Sequence, residues 1–136
     1  MPRKTDSHNP ADWLWIAARD LVALGAMAAQ ELGYELCRSK LAEVLEKIFK
    51  AELLRQGWML EKTHDLRKLG GEVASRDQEL GEEIRPLVAA LAEAYFTARY
   101  PGFDFDDPDW ATLRAQTAAA AKLLKKAQAR LGTDTP

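Results

Sequence analysis

Towards the C-terminal end of this chain, Trp110, Leu113, Thr117, Ala120, Leu124, Ala127 and Leu131 recur at alternating steps of three and four residues. That spacing lines one face of an α-helix, whereas a strand would scatter the same residues over both faces of a sheet. The seam runs about 33 Å at ~1.5 Å per residue, and a seam of that length needs neighbouring helices to cover it. An antiparallel bundle is the architecture it suits. Composition points the same way: 23 Ala and 19 Leu stand against 4 Val and 3 Ile. Ala and Leu lose little entropy on entering a helix, and the β-branched residues that fill pleated sheets are scarce.

The helix starts and stops are legible in places. Asn9-Pro10-Ala11-Asp12-Trp13 and Asp107-Pro108-Asp109-Trp110 each supply a side-chain cap, a proline without an amide to orphan, and an acid at the positive end of the dipole. They open a first helix over about residues 10–30 and a last one over 108–131. Gly33 suits the reversal into a second helix over about 34–56, with Tyr34, Cys37, Leu41, Ile48 and Phe49 on one side and Gly57 as its stop. A short third helix starts at a Thr63 cap, uses Leu66, Leu69 and Val73, and ends or bends at Gly70-Gly71. The polar stretch from Ser75 to Glu83 reads as a loop. A fourth helix carries Ile84, Leu87, Val88, Leu91, Tyr95 and Phe96, with Pro86 near its start and Tyr100-Pro101-Gly102 as its end. The expected fold is all-α, an up-and-down antiparallel bundle of four to five helices. One domain over residues 10–131 is expected, between a flexible N-terminal tail (1–9) and a short C-terminal tail (132–136).

The lone cysteine, Cys37, falls in apolar register and reads as a small buried hydrophobe without a disulfide partner. Core positions are likewise expected for Trp13, Trp15 and Trp110, but not for Trp58, which follows the second helix. The polar N-terminal residues do not form a signal peptide, and no stretch approaches the ~20 apolar residues of a membrane span, so a cytoplasmic protein without membrane contact is expected. No cofactor is expected either, since a glycine-rich phosphate loop is absent. Asp104, Asp106, Asp107 and Asp109 crowd four carboxylates together, but the spacing fails the calcium-loop pattern and the metal reading gives way to helix capping.

The formal charge of −2 conceals an uneven distribution. Residues 110–133 hold Arg114, Lys122, Lys125, Lys126 and Arg130 and no acid. A smaller basic cluster, Lys62, Arg67 and Lys68, surrounds His64. Such cations either form the solvated face of an amphipathic helix, favoured near its carboxyl end, or attract phosphate. His64 reads in the same two ways, as a helix-start residue bonded locally or as a phosphate contact and general acid/base.

The order and spacing of several short segments resemble the prokaryotic HEPN domain family. They are Asp12-Trp13, Ala17 and Asp20-Leu21; Leu45-Glu46-Lys47-Ile48-Phe49-Lys50-Ala51; Lys62-Thr63-His64-Asp65-Leu66; and Ala98-Arg99-Tyr100-Pro101. The resemblance implies a helical bundle that usually dimerises and is often encoded beside a minimal nucleotidyltransferase. Members act as RNA-cutting toxins within toxin–antitoxin pairs or as nucleotide or RNA binders. The ribonuclease members use an arginine followed after four to six residues by a histidine. Arg99 matches the arginine, but the positions that follow hold Asp104, Phe105 and Asp106. An ionised aspartate is a poor proton donor at neutral pH. The resemblance therefore implies a non-catalytic binding or assembly protein, probing nucleotide or RNA with Arg99, Lys62, His64, Arg67, Lys122 and Lys126. Two alternatives stay open: a metal-independent endoribonuclease drawing on Arg99, His64 or Asp104, and a structural bundle without a ligand.

Overall fold

The structure, a computed structural model, describes residues 7–97 and 107–133. Arg99, Asp104 and Asp106 lie outside the described residues. The described residues form six helices and no strand: α1 (Pro10–Ala29), α2 (Tyr34–Arg55), α3 (Leu66–Arg76), α4 (Gln78–Leu91), the four-residue α5 (Ala94–Thr97) and α6 (Trp110–Thr133).

α1 starts as its sequence dictates, with the Asn9 side chain accepting from the Ala11 amide and Pro10 in the first turn. Its end is a Schellman turn. The Leu32 amide donates to the Met27 carbonyl and the Glu31 amide to the Ala28 carbonyl, which sets Glu31 at a φ of 53°. Gly33 follows in the same left-handed region (φ 62°) and sends the chain back as α2. α2 ends in a second Schellman turn in which Gly57 (φ 86°) takes the left-handed position and the Trp58 amide reaches the Leu53 carbonyl. That turn folds Trp58 back against the core, so its position outside the second helix does not leave it in solvent.

α2 is the central element. It packs against α1, α3, α5 and α6, and more lightly against α4. Thirteen of its residues are buried, among them Cys37, Leu41, Val44, Leu45, Ile48, Phe49 and Leu53. Burial raises the Cys37 thiol above its ordinary pKa and keeps it unreactive. The α6 seam behaves as its spacing requires: Leu113, Ala120, Leu124 and Ala127 are buried, and Trp110 and Leu131 pack against the same core.

Several boundaries depart from the sequence expectation. The fourth helix stops at Leu91, Tyr95 and Phe96 belong to the separate α5, and the expected end at Tyr100-Pro101-Gly102 lies outside the described residues. Residues 75–83 are helical apart from Asp77, whose backbone donates to Val73 at the end of α3 while its side chain accepts from Leu80 at the start of α4. One residue therefore does the work of a loop. Because α4 begins so early, Pro86 lies inside it. Gly70 and Gly71 lie inside α3 instead of ending it. Asp65, not Thr63, caps α3 by accepting from Lys68, and Asp109, not Asp107, caps α6 by accepting from the Thr112 amide, so Pro108 stays outside the helix. Trp15 also departs from its core assignment. It is 65% exposed, because the α1 stripe runs through its neighbour Leu14.

The single-residue joint brings α3 and α4 together as a tight antiparallel pair. A Cβ on Gly81 would lie 2.6 Å from the Cβ and 2.8 Å from the Cα of Ala74. Gly81→Ala is expected to destabilise by about 1–3 kcal/mol through overpacking, despite the better helix propensity of alanine. Gly71, with open space around it, should behave oppositely: Gly71→Ala adds about 0.5–1 kcal/mol. Chemical denaturation of the two variants checks both signs.

Asp77 also pairs with Arg130 of α6 at 3.0 Å. The Leu80 amide, followed by Arg130, holds its carboxyl below the ordinary value of 3.8. A carboxylate depressed in the folded state contributes stability that is complete above 3.8 and lost as the pH falls from there through the folded value. Asp77→Ala should lose about 1–2 kcal/mol at neutral pH. Asp77→Asn should keep the cap, lose less, and flatten the stability–pH curve in that acidic window; thermal melts across pH measure it.

Candidate functional site

The packing around α2 leaves three of its charged residues, Glu46, Lys50 and Glu52, little access to water. Glu46 and Lys50, one turn apart, are 5% and 4% exposed. The Lys50 ammonium donates to one Glu46 oxygen at 3.3 Å, and His64 Nδ1 lies 2.9 Å from the other. A carboxylate shared in this way satisfies a buried cation and orients an imidazole at once. Aromatic rings fix both neighbours. Lys50 sits 5.1 Å from the centre of the Trp13 ring, whose indole N–H donates to the Ser7 carbonyl, and His64 stacks on Tyr95 of α5 at 4.3 Å between ring centres.

These groups border a cavity of about 310 Å³ lined by Trp13 of α1, Glu46, Lys47 and Lys50 of α2, and Leu60 to His64 of the segment before α3. His64 is the most accessible member of the Glu46 group, with about half of its side chain in solvent. No hydrogen bond to His64 Nε2 forms among the described residues, so that nitrogen is the ring's edge for a ligand. Among the described residues no three His, Cys, Asp or Glu side chains converge as a metal site would need.

Of the cations that the sequence singles out, the fold brings Lys62 and His64 to this cavity. Arg67 instead lines a groove between α3 and α4 and pairs with Glu93, and Lys68 pairs with Glu61 at 2.6 Å. Lys122 lines a separate groove between α4 and α6, bordered by Pro86 and Leu87, and Lys126 pairs with Glu83 at 2.6 Å. The α6 cations are therefore not one solvated face. Arg130 ties buried Glu52 of α2 to Asp77, and Arg114 reaches the Ala28 carbonyl and Glu31 at the end of α1. Glu46, Lys50 and Trp13 were not singled out as site residues by their sequence pattern. The available signal was the pair of opposite charges four residues apart, set among Val44, Leu45, Ile48, Phe49 and Ala51 of α2.

The family model described as HEPN domain matches residues 11–129. The chain belongs to the HEPN domain family. No curated protein and no solved structure matches it. An all-α bundle is the fold of this family, and the match takes in α2 to α5 whole and all but the outer ends of α1 and α6. No described helix is long and apolar enough to cross a membrane.

Removing one partner of a buried ion pair leaves the other charge stranded, which typically costs about 3–5 kcal/mol, whereas replacing both by apolar groups of similar size is often neutral. Glu46→Leu alone should therefore destabilise this HEPN protein strongly, and Glu46→Leu with Lys50→Met should recover most of that loss. Urea denaturation of the single and double variants measures the recovery. A double variant as unstable as the single one would mean that the pair contributes to stability outright.

Proposed function

We propose that this HEPN protein is a non-catalytic binding protein that holds a nucleotide or RNA by phosphate contacts in the cavity beside Glu46. The observation that carries this reading is the convergence of Lys47, Lys50, Lys62 and His64 with the Trp13 ring on one cavity. Cations that neutralise phosphate supply most of the affinity for nucleic acid, and an aromatic ring supports a base. The family assignment supports it at a coarser level, as a nucleotide-binding or ribonuclease-like fold. The non-catalytic part rests on the sequence after Arg99, where no histidine follows at four to six residues. The protein acts as a homodimer, with a minimal nucleotidyltransferase as a further partner. Trp15 and Val22, both well exposed and seven residues apart on α1, support a second copy as the partner.

One observation favours a second reading. The Glu46 carboxylate on His64 Nδ1 is the arrangement that orients an imidazole for proton transfer, so a metal-independent endoribonuclease built on His64 and Arg99 is the alternative.

Titration with 5′-AMP and with a short RNA, followed by tryptophan fluorescence at two salt concentrations, tests the binding reading. Binding that weakens with salt, falls about fivefold in Lys47→Ala, and leaves the RNA intact supports it. RNA cleavage that disappears in His64→Ala replaces it with the endoribonuclease. Neither binding nor a ligand-induced rise in Tm leaves a structural bundle. Light scattering that shows only monomer removes the homodimer.

A further inference from the structure

The cavity beside Glu46 has the size of a compartment. At about 310 Å³ it lies at the lower end of the ~300–1,000 Å³ typical of small-ligand sites. Proteins that hold an internal stretch of single-stranded nucleic acid instead present a basic groove several nucleotides long with successive aromatic platforms. Here the aromatic rings among the lining residues are Trp13 and His64, and each is already engaged on one side. Lys50 sits over the Trp13 ring at 5.1 Å, and Tyr95 stacks on His64 at 4.3 Å.

The lining carries more cations than acids. Its two acids are engaged: Glu46 by Lys50 and His64, and Glu61 by Lys68, a residue that does not line the cavity. Its cations are Lys47, Lys50, Lys62 and, when protonated, His64. A terminal phosphate monoester carries about −1.5 to −2 charges and three acceptor oxygens, whereas an internal phosphodiester carries a single charge and leaves two. A small compartment with several N–H donors matches the monoester.

We propose that this cavity recognises a terminal phosphate monoester, on a free nucleotide or at an RNA end, in preference to an internal phosphodiester, and that Glu46 is the positioning residue that holds Lys50 and His64 for it. The proposal rests on the phosphate-binding reading above and narrows it.

Calorimetric titration of the intact protein at one low salt concentration with adenosine, 5′-AMP, the dinucleotide ApA and its 5′-phosphorylated form pApA tests it. The monoester bearers 5′-AMP and pApA should bind alike, and ApA and adenosine at least about tenfold more weakly. ApA binding as tightly as pApA, with adenosine weaker than both, overturns end recognition and leaves phosphate binding standing. All four binding equally weakly overturns both. The preference for pApA over ApA is also the readout for Glu46: it should shrink severalfold in Glu46→Gln while a cooperative melt shows the variant folded. His64→Gln, a change at an exposed position, should shrink the same ratio, so a fold defect in the first variant does not leave the question unanswered. An unchanged ratio in His64→Gln overturns the assigned arrangement.

Discussion

A helix packed among other helices must find an internal partner for each charge that it buries. α2 is that helix here, and much of the molecule follows from how its charges are met. Glu52, 4% exposed, draws in Arg55 from its own helix and Arg130 from α6. Glu46 draws in Lys50 and His64. The first set fastens α6 and, through Asp77, the α3–α4 joint to the centre; the second holds the segment before α3 against the centre and creates the cavity. With their carboxylates almost wholly buried, these contacts are less screened than a surface pair and more costly to leave incomplete.

The two sets differ in what surrounds them. Around Glu52 the arginines converge from two helices and the packing is closed, with Ala127 and Leu131 of α6 close by. Around Glu46 the partners lie beside open volume, and one of them is half in solvent. The chemistry of the pairs is similar, and the access is not. A ligand can reach His64 Nε2 without opening the core, and both Glu46 contacts stay in place.

Regular periodicity was the part of the fold most easily read. The α6 seam, the α1 start at Asn9 and the Gly57 stop of α2 all follow from local rules that tertiary packing leaves undisturbed. The joint at Asp77 was harder, because a polar run from Ser75 to Glu83 has loop composition, while Leu80, Ile84, Leu87 and Leu91 already carry helical spacing. Capping chemistry overrode composition there. Lys62 and His64 could be picked out by charge alone. Glu46 and Lys50 could not, because an opposite-charge pair one turn apart is ordinary on an exposed helix and becomes informative only when the face that carries it is covered. Trp15 failed for the complementary reason: a helix turns enough in one residue to carry a side chain from core to solvent.

The joint between α3 and α4 has a consequence for how the molecule can vary. Each added residue rotates a helix by about 100°. With Asp77 alone between the two helices, the rotational phase of α4 is locked to that of α3. One residue more or fewer would turn Ile84, Leu87 and Leu91 out of the core and carry Gly81 away from Ala74. Ordinary loops absorb length changes; this connection cannot. The α3–α4 pair behaves as a geared unit, and changes of length in this half of the molecule must fall outside it.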